Sequence, residues 1–168
     1  MTAVETVHSE IFKDFSPNSK VWIYTANRSI TQLEAERIKP LIKAFTNVWT
    51  AHDKALKACG DVLYSRFIIL AVDESQTTAS GCSIDKSTHF IKSIETLFSL
   101  NLFNRLELIY QHQEKQKSIA LKDLAPKIAD GEISMNTLIY DSTLTQLGKL
   151  QSEFIKEAGQ SWLVKYIK

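Results

Sequence analysis

The sequence predicts an α+β protein: a ferredoxin-like βαββαβ core with a C-terminal α-β-α extension. Three observations carry this. Runs rich in β-branched and aromatic residues recur at 21–26 (VWIYTA), 67–72 (FIILAV) and 106–111 (LELIYQ). Between them, apolar residues repeat at helical spacing. Residues 62–73 are long for one strand, so a turn at Gly60-Asp61 or at Tyr64-Ser65-Arg66 makes a hairpin. Read as one strand, the same segment gives the alternative, a three-layer α/β protein with a mostly parallel sheet. The chain reads as a single domain over 1–168. Residues 1–18 are a polar lead-in, 19–111 the α+β core and 118–168 the extension.

Each element has a local cause. Ser16-Pro17-Asn18 ends the lead-in as a turn. After the strand at 21–26, Thr31 and Glu34 form a capping box. Ile38, Leu41, Ile42, Phe45, Val48 and Trp49 then share one helical face, which Pro40 is expected to kink or divide. Residues 75–81 are small and polar, hence a loop. Ser83 caps a second helix with Ile84, Ile91, Ile94, Leu97 and Phe98 on its apolar face, and Asn101 ends it. Residues 113–117 read as a charged loop. Leu121, Leu124 and Ile128 mark a short helix that Pro126 strains and Gly131 stops. A strand follows at 137–140. Thr143 caps a last helix bearing Leu144, Leu147, Leu150 and Phe154, which Gly159 closes. Trp22, Tyr24 and Trp49 belong to the core. Trp162, in an apolar tail at 162–167, packs on the body or meets a partner.

Composition excludes several classes. Of 168 residues, 44% are hydrophobic and 23% charged, which argues against disorder. Lys plus Arg (20) nearly balances Asp plus Glu (19), so no broad basic field awaits nucleic acid. The densest basic stretch, Lys115, Lys117 and Lys122, reads as a solvated face. Cys59 and Cys82 make no disulfide framework, and reduced thiols point to a cytoplasm. Residues 1–10 lack the pattern of a signal peptide, and the longest apolar run, 67–72, is far too short to span a membrane. A soluble, cytoplasmic protein is expected.

The stretch ASGCSIDKS, Ala79 to Ser87, carries the most chemistry. It opens a helix after a strand, where free N–H groups and the helix dipole favour anions. Ser80, Gly81, Cys82, Ser83 and Lys86 are the candidate ligand contacts, with Arg28 and Arg66 expected near the same edge. Lys86-Ser87 invites comparison with a P-loop, G-x-x-x-x-G-K-[ST]. Ser80 and Asp85 occupy the two glycine positions, and Asp85 sets a carboxylate where phosphates sit. P-loop nucleotide hydrolysis is not expected.

The segments VWIYTANRSIT, FIILAVDE, SGCSIDKS and GEISMNTLIY resemble a small uncharacterised bacterial family often labelled "ABC transporter ATPase". The resemblance runs from about Phe15 to Trp162. It implies no established catalytic residues, and the label conflicts with the missing Walker A glycines.

Cys82, Asp85 and Asp73 are the candidate catalytic residues. At a helix N-terminus with Lys86 one turn away, Cys82 has a stabilised thiolate, which Asp85 opposes. His52 and His89 are the bases that could approach it. The simpler reading makes Cys82 a small buried residue at a tight junction. Asp73, Glu74 and Asp85 with Ser83 offer oxygen ligands for Mg²⁺, but caps and turns explain them equally. His8, His52, His89 and His112 are dispersed, so no metal site and no cofactor are expected. The function expected is non-enzymatic binding of a small anion or a protein at the 73–87 edge. The alternative is an enzyme using Cys82 as thiolate or a metal at Asp73 and Asp85. A homo-oligomer is a third reading.

Overall fold

The computed structural model describes residues 9–167. The first eight positions of the lead-in, with His8, lie outside it. Contacts group the chain into two compact units, residues 9–104 with 144–149, and 105–143 with 150–167. The strand expected to end the core, at 106–111, therefore groups with the C-terminal part. Every strand pair among the described residues is antiparallel. The mixed α and β content stands, and the mostly parallel alternative does not.

In the first unit, β1 (Lys20–Thr25), β5 (Phe67–Asp73) and β4 (Lys57–Leu63) form a sheet of order β1-β5-β4. The hairpin turns at Tyr64 and Ser65, both left-handed (φ 52°). Gly60 is not in the turn. It sits mid-strand, where an added Cβ would lie 2.5 Å from the Ile69 carbonyl oxygen and 2.7 Å from Ile42 Cγ2. A glycine is needed there so that α1 (Gln32–Val48) can lie close on β4.

The Thr31–Glu34 capping box forms as expected, and α1 runs through Pro40 without a break. Ile38 and Ile42 of α1 join Ile91, Ile94 and Phe98 of α2 (Gly81–Phe98) over Tyr24, Val62, Ile68, Leu70 and Val72. Trp49 belongs to the same cluster, and Trp22 packs against it. All seven residues of β5 are buried. Burying each large aliphatic side chain is worth about 1.5–3 kcal/mol, so this strand anchors the unit. Residues 9–16 tie to the sheet from its other face. Ser9 Oγ donates to Asp61 (2.7 Å) and the Ser16 amide to Asp73 (3.3 Å).

The edge of β1, where a ferredoxin-like sheet carries its fourth strand, meets residues 145–148 instead. Val21 N–H donates to the Thr145 carbonyl (3.0 Å), Leu147 N–H to Ser19 (2.9 Å), and Lys20 bridges Gln146. A short hairpin, β2 (Thr50–Ala51) and β3 (Lys54–Ala55), follows α1. Helix α2 ends at Ser99, whose left-handed conformation (φ 52°) does what Asn101 was expected to do.

In the second unit, β6 (Glu107–His112), β7 (Lys115–Ala120), β8 (Leu138–Tyr140) and β9 (Ile155–Glu157) form a sheet of order β7-β6-β8-β9. The expected charged loop at 113–117 is mostly strand. Only Gln113 and Glu114, both left-handed, make the turn. A 3₁₀ turn, Leu121–Asp123, leads into α3 (Leu124–Ala129). Pro126 stands in the first turn of α3, where its missing N–H costs nothing. Gly131 (φ 83°) follows as expected. Helix α4 (Leu147–Glu153) starts later than read. Thr143 does not cap it, because its amide and hydroxyl both donate to Asp141.

Candidate functional site

At the 73–87 edge, most polar groups are already committed within the fold. Asp73 is buried. It accepts from the Ser75 amide (3.0 Å) and the Ser16 amide (3.3 Å), and Lys57 Nζ lies 3.3 Å away. The bonds from Ser75, then those from Ser16 and Lys57, hold its pKa down to about 2. Glu74 accepts from the Ala79 amide (2.8 Å) and pairs with Lys20 (3.1 Å), which fixes the loop.

The cap of α2 is Ser80, not Ser83. Ser80 Oγ accepts from the Ser83 amide (3.2 Å), and Ser83 Oγ accepts from the Ser80 amide (2.7 Å) and donates to its carbonyl (2.7 Å). The Ser83 carbonyl accepts from buried Trp49 Nε1 (2.8 Å). These serines build the helix start. Gly81 is exposed and has no neighbour within 4 Å of an added Cβ, so nothing here needs a glycine. Asp85 is exposed, and Lys86 Nζ donates to Thr50 Oγ1 (3.1 Å).

The two arginines expected at this edge are elsewhere. Arg66 precedes β5 and Asp73 ends it, so roughly 20 Å of strand separates them. Arg66 is buried, and its Nε donates to the Ala26 carbonyl (2.8 Å). Arg28 makes a two-point contact with Glu34 (2.9 and 2.8 Å) and donates to the Phe98 carbonyl (2.7 Å). That guanidinium, with the Thr31 amide, lowers Glu34 to about 2. Both arginines tie loops together at the far end of the sheet.

Cys82 is exposed, against the expectation of a buried junction residue, and it is unpaired. Cys59 is buried in β4, and burial, then Asp61, pushes its thiol up to about 12. A thiol reagent at neutral pH is therefore expected to label Cys82 rapidly and Cys59 only on unfolding. Peptide mass spectrometry of the native protein checks this, and equal labelling of both would contradict the burial. Among the described residues, no three His, Cys, Asp or Glu side chains gather as metal ligands, so Asp73 and Asp85 do not complete a set.

The second unit holds a cavity that sequence reasoning did not see. It has a volume of about 470 Å³ and is lined by Leu121, Lys122, Leu124, Ala125, Ile128, Ala129, Trp162 and Tyr166. One wall is the 3₁₀ turn and α3, whose Ala125 and Ala129 leave room one turn apart. The other is the C-terminal 3₁₀ turn, Trp162–Lys165, with Tyr166 after it. Ser161 starts that turn, accepting from the Leu163 amide (3.1 Å) and donating to the Ala158 carbonyl (2.7 Å). The Trp162 and Tyr166 rings meet edge to face, 6.1 Å between centroids.

Below the cavity, Leu124 and Leu163 join Leu108, Ile133 and Ile139 in the core of this unit. Glu132 fixes the chain after α3. It accepts from Lys127 (2.7 Å), Tyr110 (2.7 Å) and Lys117 (3.0 Å), and these contacts, Lys127 first, hold it at about 2. Lys122 is the one charged residue of the lining. The apolar faces of Leu121, Leu124, Ile128 and Trp162 were legible in sequence. The gap between them depends on how the tail returns.

No helix among the described residues is long and apolar enough to cross a membrane. Comparison with protein-family models, with curated proteins and with solved structures finds no match to this chain.

Proposed function

We propose that this protein is a non-catalytic binding module whose ligand occupies the cavity between α3 and the C-terminal 3₁₀ turn. The carrying observation is an apolar space of about 470 Å³ with Trp162 and Tyr166 on one wall and a lone cation, Lys122, in the lining. Ligand sites are concave, mostly apolar, some 300–1,000 Å³ in size, and carry few polar groups. A small ligand with an apolar body and an anionic end matches this chemistry. The small-anion expectation is thus kept in class and moved from the 73–87 edge.

Decanoate is a suitable probe, with Trp162 emission as the readout. Trp22 and Trp49 belong to the other unit. A saturable change is expected, lost in Trp162→Phe and weakened at least about tenfold by Ala125→Phe, which fills the space. No saturable change with decanoate or decanol at millimolar concentration would overturn the proposal.

A second reading, favoured by the exposure of Cys82, keeps chemistry at that thiol. It requires Cys82 to react at pH 6–7 far faster than an exposed model thiol. We do not extend the proposal to nucleotide hydrolysis, given Ser80 and Asp85 at the glycine positions. We read the first unit as a ferredoxin-like arrangement without its fourth strand, supported by the order β1-β5-β4 and by the shared core of α1 and α2. Two unpaired cysteines support a reducing compartment.

A further inference from the structure

Helix α1 carries a second apolar stripe that the fold leaves uncovered. Leu33, Leu41 and Val48 are 67%, 37% and 73% exposed. Arg37 and Ala44 lie between them and are exposed too. The spacing 33, 37, 41, 44, 48 is four, four, three, four, which is that of a helix–helix seam. At 3.6 residues per turn, this stripe lies about 120° around the helix from buried Ile38 and Ile42. It continues onto α2, where Phe90 stacks on Phe45 (4.4 Å between centroids) and Leu97 is 64% exposed.

The stripe is nearly symmetric about residues 40 and 41. In an antiparallel pairing with a second α1, Leu33 meets Val48 of the other copy, Arg37 meets Ala44, and Leu41 lies by the two-fold axis. Glu36 and Lys43 flank the stripe on one common side, by the same helical arithmetic. Antiparallel pairing brings Glu36 of each copy towards Lys43 of the other. A parallel two-fold pairing would place this side of the two helices on opposite flanks of the seam, so Glu36 and Lys43 would not meet. The charges therefore fit a second copy in one direction.

We propose that this chain forms a two-fold homodimer through α1 packed antiparallel on α1 of a second copy. Self-complementarity of one patch is what such an interface requires. The proposal is independent of the cavity in the other unit.

Sedimentation equilibrium on the full chain tests it. The wild type is expected to dimerise. Leu41→Asp should weaken the dimer at least about tenfold. Glu36→Lys should weaken it as well, and adding Lys43→Glu to Glu36→Lys should restore it. These residues are on the surface, and circular dichroism checks that each variant stays folded. A wild type that remains monomeric at millimolar concentration overturns the proposal. So does a dimer that Leu41→Asp leaves intact, or one in which the double reversal restores nothing.

Discussion

Gly60→Val is expected to destabilise the first unit by about 3 kcal/mol, and Gly60→Ala by about 2 kcal/mol. Any β-carbon at this position meets the Ile69 carbonyl oxygen at 2.5 Å and Ile42 Cγ2 at 2.7 Å. The nearest obstacle is backbone of the central strand, which cannot step aside as a flexible side chain would. Relief requires β4 to shift against β5 and α1 to lift from β4, and the latter uncovers Ile38 and Ile42, both fully buried. Valine adds two methyl groups to the same collision. Chemical denaturation of the two variants measures the loss. A shift within about 0.5 kcal/mol of wild type, the range of an ordinary surface change, would contradict the close approach.

Asp141→Asn is expected to cost about 3 kcal/mol, since removing one partner of a buried pair leaves Lys156 with only the half-exposed Glu153 at 3.7 Å. Asp141 and Lys156 are 2.8 Å apart, with side-chain exposures of 6% and 12%. Burial alone would push the Asp141 carboxyl up, but Lys156 and Thr143 outweigh it and the pKa falls below the ordinary value. A carboxylate with a lowered folded pKa adds stability above its unfolded pKa of about 3.9 and loses it as pH falls through the folded value. The variant should therefore differ most from wild type at neutral pH and converge on it in acid. Asp141→Asn with Lys156→Met should recover most of the loss, because no stranded charge remains. A constant difference from pH 7 to pH 2 would contradict this account.

Much of the fold was legible because local causes decided it. The Thr31–Glu34 box, the apolar run 67–72 and the helical faces of Ile38 with Ile42 and of Ile91 with Ile94 are patterns a single segment carries. Strand β7 was missed because KQKSIA has the polar, lysine-bearing character that protects an exposed sheet edge, and that composition also reads as loop. Ser80 and Ser83 are both able to cap, and only the geometry shows Ser83 buried at the third helical position.

The two arginines expected at the 73–87 edge lie elsewhere. Arg28 and Arg66 were assigned to the edge of Asp73, but the turn at Tyr64-Ser65 puts Arg66 at the opposite end of β5. The separation of Arg66 from Asp73 was legible, since they flank the strand expected at 67–72, whereas the end that Arg28 reaches is set by the topology of the whole sheet. The cavity was hidden for a similar reason, since α3 and Trp162 are more than thirty residues apart.

The most direct test is heteronuclear NMR of the full chain titrated with decanoate. The account predicts saturable shifts concentrated at residues 121–129 and 162–166, reduced in Ala125→Phe. Shifts centred instead on residues 74–87, or none at saturating probe, would contradict it.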